Sequence, residues 1–125
     1  MGIIRKTVII GGTKGEKEVE AIIDTAATFS AVPKKLADEV GISVFTYKDT
    51  PLPPDGHIEK IPVGIGNLKI NGCDRPDVFY ILSDKAPVLI GYISLQSFGA
   101  KVDLKTDEIT ITQCLPVLSF IVTDK

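Results

Sequence analysis

The sequence predicts a mainly β fold carrying two short helices, on three observations. Short runs rich in β-branched residues recur along the chain, as in Ile3–Ile10, Val78–Leu82 and Val117–Val122. Turn signals built on glycine, proline, asparagine and aspartate separate them. Only two stretches, Lys34–Val40 and Tyr92–Phe98, space their apolar residues for a helix, and a glycine follows each. The chain has 125 residues, which suits one domain over residues 1–125, and its hydrophobic content of 44% can build a core.

The first strand, Ile3–Ile10, runs into Gly11-Gly12-Thr13-Lys14-Gly15, a hairpin turn. These glycines make a poor phosphate loop, because no Lys-Ser/Thr pair ends the run and a strand, not a helix, follows. Val19–Ile23 returns as the second strand and delivers Asp24 at its end. A carboxylate there is held by the core yet faces a cavity or an interface, and the small Thr25, Ala26 and Ala27 let another backbone come close. An ordinary turn-forming aspartate after a strand has the same local pattern, so the rest of the chain decides.

Pro33 suits the first helical position, Leu36 and Val40 share one face of Lys34–Val40, and Gly41 caps the helix. Ile42–Tyr47 is extended. In Thr50-Pro51-Leu52-Pro53-Pro54-Asp55-Gly56-His57 the prolines stiffen the chain and Asp55-Gly56 signals a hairpin. Val44–Ile65 therefore forms a long projecting hairpin with a polar tip, either an ordinary surface feature or a lid. Leu68–Ile70 is a short strand, Asn71-Gly72 a turn and Val78–Leu82 another strand. Asp84-Lys85-Ala86-Pro87 breaks the chain before the apolar Val88–Ile90, Gly91 and the second helix, which Gly99 caps. Val102–Leu104 and Glu108–Thr112 flank a turn at Lys105-Thr106-Asp107, and Val117–Val122 is the last strand. A strand, a small-residue turn and a glycine-ended helix occur at Ala21–Gly41 and again at Val88–Gly99, which suggests a core of two related halves.

Several function classes are disfavoured. The net charge of −2 gives no basic patch for a nucleic acid, and with no tryptophan there is little surface for base stacking. Cys73 and Cys114 are far apart and form no CxxC, which reads as two reduced thiols in a cytoplasmic protein. His57 is the single histidine, and no ligand spacing suggests a metal. A histidine-based nucleophilic mechanism would need His57, which lies in a turn-like stretch. Arg5 and Lys6 interrupt the apolar start of the chain, so it is no signal-peptide core, and no apolar stretch reaches the length of a membrane span.

Asp24-Thr25-Ala26-Ala27-Thr28 resembles the Asp-Thr-Gly-Ala-Thr active-site turn of the retropepsin family of aspartic proteases. Pro33–Gly41 resembles the helix that follows in non-viral members, and Asp55-Gly56 falls where the family has its flap. Val88-Leu89-Ile90-Gly91 resembles the motif of hydrophobic residues closed by glycine, and Leu95–Asp103 the helix and strand after it. Order and spacing together carry the resemblance over Val19–Ile111.

The resemblance implies a retropepsin-like acid protease fold, a single-lobe closed β-barrel with a flap hairpin. It implies Asp24 as the catalytic carboxylate, supported by Thr25, Ala26, Ala27 and Thr28, with Asp55, Gly56 and His57 in the flap. Ile65, Val88 and Ile90 are the expected pocket walls. The family's chemistry uses two aspartates sharing one proton, and this chain offers one. A homodimer with Asp24 of each copy at the axis follows, acting on an extended peptide with no metal or organic cofactor. The terminal strands Ile3–Ile10 and Val117–Val122 are candidates for its interface, or they pair within the chain.

Two departures matter. Ala26 replaces the motif glycine: at positive φ it would be strained, and at negative φ its methyl would stand near the substrate. The alternative function is therefore a non-catalytic, dimeric peptide-binding or assembly module. Tyr92-Ile93 brings no charge to brace the active-site loop where relatives often carry one. Ala27 offers no hydroxyl to the carboxylate, which predicts activity at mildly rather than strongly acidic pH.

Overall fold

The computed structural model describes residues 3–112 and residue 114. Among them the elements run β1 (Ile4–Gly11), β2 (Glu16–Ile23), β3 (Ser30–Pro33), α1 (Lys34–Val40), β4 (Ser43–Leu52), β5 (His57–Ile70), β6 (Cys73–Leu82), β7 (Val88–Ile90), α2 (Tyr92–Ser97), β8 (Ala100–Asp103) and β9 (Glu108–Ile111). Six strands close a barrel in the order β1-β2-β7-β3-β6-β5, and β5 returns to β1 through Ile9↔Lys69, Ile10↔Leu68 and Gly11↔Asn67. The fold is mainly β. Among the described residues β4 pairs only with β5, and the two run on as a long hairpin.

Alternation builds the core. Ile4, Val8 and Ile10 of β1, Ala21 and Ile23 of β2, and Leu68 and Ile70 of β5 point inward around the fully buried Phe79, Ile90 and Phe98. α1 covers one side with Leu36, Ala37 and Val40. Pro33 is its N-cap, one residue before the expected position, and Gly41 ends it at φ 82°, its N–H donating to the Ala37 carbonyl at 2.9 Å.

The structure differs from the sequence reading in definite places. β3 was not expected; it lies between β6 and β7 with Ser30, Ala31 and Val32 buried. β5 is one strand of 14 residues, not two short ones. Its Gly64 and Gly66 do not interrupt it: Ile42 packs onto both, and a Cβ on Gly64 would come within 2.6 Å of Ile42 Cγ2. β6 begins at Cys73, not Val78, despite Pro76. Among the described residues β3 pairs with β6 only over Phe79–Leu82, so Pro76 lies in a part of β6 that has a strand partner, β5, on one edge alone, where proline is tolerated. The tip between β4 and β5 spans four residues, closed by a Gly56 N–H to Leu52 carbonyl bond of 2.8 Å.

One expectation is corrected. Cys73 and Cys114 are not free thiols: they form a disulfide with a Cα–Cα distance of 5.1 Å. That removes the ground on which a reducing compartment was expected. Of the two alternatives for the first strand, pairing within the chain is present: β1 pairs along its whole length with β2 and over its last three residues with β5. Val117–Val122 lies outside the described residues. No helix among the described residues is long and apolar enough to cross a membrane.

Candidate active site

β2 and β7 run parallel, in the register Ala21↔Val88, Ile22↔Leu89 and Ile23↔Ile90. Asp24 continues that ladder, its N–H donating to the Ile90 carbonyl at 2.9 Å. The turn then folds on the aspartate itself. The Ala26 N–H donates to Asp24 Oδ1 at 3.1 Å and the Ala27 N–H to the Asp24 carbonyl at 3.2 Å. The start of α2 grips the same turn from the other side, with Tyr92 N–H to Ala27 carbonyl at 2.7 Å and Ile93 N–H to Thr28 carbonyl at 3.0 Å. The two halves suggested by the sequence thus interlock at the residue after each central strand.

Gly91 is required by this approach. A Cβ there would stand 2.5 Å from both the carbonyl carbon and oxygen of Phe29 and 3.0 Å from the Ala27 carbonyl oxygen, all backbone atoms. Asp24 is half-buried, Ala27 also, and Thr25, Ala26 and Thr28 are exposed. Among the described non-glycine residues, positive φ occurs only at Asn71 and Asp107. Ala26 therefore sits in a backbone conformation that alanine accepts, and its methyl is exposed beside Asp24.

Behind the loop lies a buried polar chain that sequence reading missed. The Gly91 N–H donates to Ser30 Oγ at 3.0 Å, Ser30 Oγ and Ser94 Oγ are 2.5 Å apart, and Ser94 Oγ donates to Asp77 Oδ2 at 2.5 Å. The Val78 N–H donates to Asp77 Oδ1 at 2.8 Å. Burial raises the Asp77 pKa above the usual carboxylate value, opposed by the bonds from Ser94 and Val78. The separations of 64 and 17 residues explain why no local signal marked it.

The hairpin tip is a second cluster. His57 Nδ1 lies 2.7 Å from Asp55 Oδ1, and Nε2 lies 2.6 Å from Glu59 Oε2. The bond to Asp55 first, and then that to Glu59, raises the His57 pKa; the same His57 contact lowers that of Asp55. Glu59 was not singled out, though residues two apart on a strand share a face. Among the described residues no group of three or more His, Cys, Asp or Glu is placed to hold a metal.

A groove of about 990 Å³ runs between the hairpin and the loop Ser83–Pro87. Val44, Tyr47, Ile61, Ile81 and Leu89 give it an apolar lining, and Asp24 is not part of it. Ile65, Val88 and Ile90, the expected pocket walls, do not line this groove. Val88 and Ile90 are buried at 7% and 0% exposure and belong to the barrel core, while Ile65 is 49% exposed and does not line the groove. Strand alternation turns the intervening Leu89 to the groove instead.

The family profile described as Aspartyl protease matches residues 7–94. No curated protein matches the chain. Among solved structures, the retroviral protease-like domain of Ddi1 from Leishmania major is 22% identical with a TM-score of 0.65, and the match covers 93% of this chain and 96% of that one. EIAV protease complexed with the inhibitor HBY-793 is 18% identical with a TM-score of 0.63, over 82% of this chain and 94% of that one. At these identities the likeness is one of fold.

Proposed function

The chain belongs to the retropepsin-like aspartyl protease family, and from that membership we propose that it is a homodimeric aspartic endopeptidase whose reaction centre is Asp24 from each of two copies. One observation carries the reading. The two halves of the chain meet with Asp24 at the end of β2 and Gly91 at the end of β7, so the chain brings one carboxylate, not two, to the place where its halves join. Acid–base hydrolysis by carboxylates uses a pair, and a second copy supplies the other.

In that dimer the two carboxylates share one proton, because charges so close do not both ionise. The ionised Asp24 takes a proton from water as its oxygen attacks the scissile carbonyl carbon. The protonated Asp24 gives its proton to the carbonyl oxygen. Collapse of the tetrahedral intermediate breaks the C–N bond: the carboxyl group that took the water proton gives it to the leaving amine, and the other takes the proton of a diol hydroxyl, which restores the shared proton. The backbone bonds from Ala26, Ile90 and α2 to the loop hold the carboxylate in place, which limits the reorganisation needed. The β4–β5 hairpin serves as a flap over an extended peptide, and the groove at Leu89 takes an apolar side chain.

A peptide library incubated across acidic pH with the wild-type chain and Asp24→Asn tests this. Cleavage is expected to fall by about 100-fold or more in the variant; equal cleavage by both would assign the activity to a contaminant. The exposed Ala26 methyl favours a second reading, a dimeric module that binds extended peptides without turnover. In that case the wild type binds and does not cleave, and Ala26→Gly gains cleavage.

A further inference from the structure

Asp77 is on β6, away from the loop that carries Asp24, yet the two are joined by an unbroken run of hydrogen bonds. We propose that Asp77 is a positioning residue for Asp24, acting through Ser94, Ser30 and the Ile90–Gly91 peptide. Its catalytic consequence rests on the protease reading above; the physical link does not.

The direction of the chain is fixed by its ends. Ser94 gives its proton to Asp77 Oδ2, so its oxygen must accept from Ser30 across the 2.5 Å contact. Ser30 spends its own proton there, and its oxygen accepts the Gly91 N–H at 3.0 Å. The other side of that same peptide group, the Ile90 carbonyl, accepts the Asp24 N–H at 2.9 Å. All the dipoles therefore point one way, toward the Asp77 carboxyl group. Each bond in such a run polarises the next, and burial weakens the screening of the effect. Both serines are 1% exposed, so solvent cannot replace a lost partner.

The arrangement ties three elements to one peptide plane. β3 contributes Ser30, α2 contributes Ser94, and β6 contributes Asp77. Tyr92 and Ile93 bring no charge to the loop at the start of α2, and the carboxyl group that reaches it from behind is that of Asp77. Loss of this acceptor would let the Ser94 hydroxyl turn, then that of Ser30. The Ile90–Gly91 peptide would rock, and the Asp24 backbone with it. A carboxylate displaced by a fraction of an ångström still binds substrate but loses its alignment with the water, a loss felt in kcat rather than KM.

The test uses the ¹⁵N-labelled full chain as wild type, Asp77→Leu, Ser94→Ala and Ser94→Thr. Asp77→Leu and Ser94→Ala, which remove the acceptor and the relay hydroxyl, are expected to move the Gly91 amide proton upfield and to speed exchange of the Asp24 amide by about tenfold, the effect of one hydrogen bond. They are also expected to lower kcat by about tenfold with KM within about twofold. Ser94→Thr, which keeps the hydroxyl, is expected to recover the Gly91 resonance. If Ser94→Ala fails to fold, Asp77→Leu keeps the side-chain shape without an acceptor and carries the same test. Unchanged Gly91 and Asp24 amides in folded Asp77→Leu overturn the proposal, as does an unchanged kcat alongside shifted amides. A wild type with no turnover whose amides respond to Asp77→Leu overturns the protease reading and leaves the link standing.

Discussion

Asp24 and Gly91 stand side by side at the ends of two parallel strands, locked by the 2.9 Å bond from the Asp24 amide to the Ile90 carbonyl. One half of the chain ends its central strand in a carboxylate and the other ends it in a residue with no side chain. The difference is physical. The space beside Gly91 is filled by the backbone of Ala27 and Phe29, which is the backbone that shapes the aspartate turn.

Gly91→Ala is therefore expected to be severe. Its Cβ meets backbone atoms, which cannot turn aside as a flexible side chain could. A loss of about 3 kcal/mol is expected, the upper end for overpacking. Urea unfolding measures it, and a midpoint unchanged from wild type would contradict the packing described.

The hairpin tip is expected to respond to pH in two directions. His57 has a raised pKa, so its contribution is complete below the unfolded value of 6.5 and is lost as pH rises through the folded one. Asp55 has a lowered pKa, so its contribution is present above the unfolded value of 3.8 and is lost as pH falls through the folded one. The tip is held together between those limits, the mildly acidic range expected for activity. An NMR titration of the His57 imidazole checks the partners. Asp55→Asn should lower its pKa most and Glu59→Gln less, following the order of the two causes. No movement in either variant would contradict the cluster.

The Cys73–Cys114 bond closes a loop of 41 residues' separation, tying the residue that begins β6 to one beyond β9. Loop closure predicts a stabilisation of at most about 4 kcal/mol. Urea unfolding with and without reductant, beside the double Cys→Ser variant, measures it. Coincident curves would show that the bond adds nothing.

Much of this arrangement could be read from particular residues. The run from Val19 to Ile23 with Asp24 at its end, the Gly41 cap and the Asn71-Gly72 turn depend on local chemistry, and local chemistry is what a sequence displays. The likeness of Ala21–Gly41 to Val88–Gly99 suggested two related halves, and their central strands β2 and β7 lie side by side. β3 was hidden because Ser30–Pro33 is four residues long and its proline also opens a helix. The continuity of β5 was hidden because Gly64 and Gly66 look like breaks until Ile42 is seen packed on them. That Val88 and Ile90 turn into the core and Leu89 away from it was hidden because a three-residue apolar run does not say which way it alternates. The Asp77–Ser94–Ser30 chain and the disulfide join distant positions, and nothing in the neighbourhood of each residue announces its partner.

The central claim is that one Asp24 is half a reaction centre. Sedimentation equilibrium and peptide turnover, measured over the same range of protein concentration, test it most directly. The account predicts that turnover per chain rises in step with the fraction of dimer and vanishes at dilutions where the chain is monomeric. Full turnover by a monomer, or turnover per chain that ignores the dimer fraction, would contradict it.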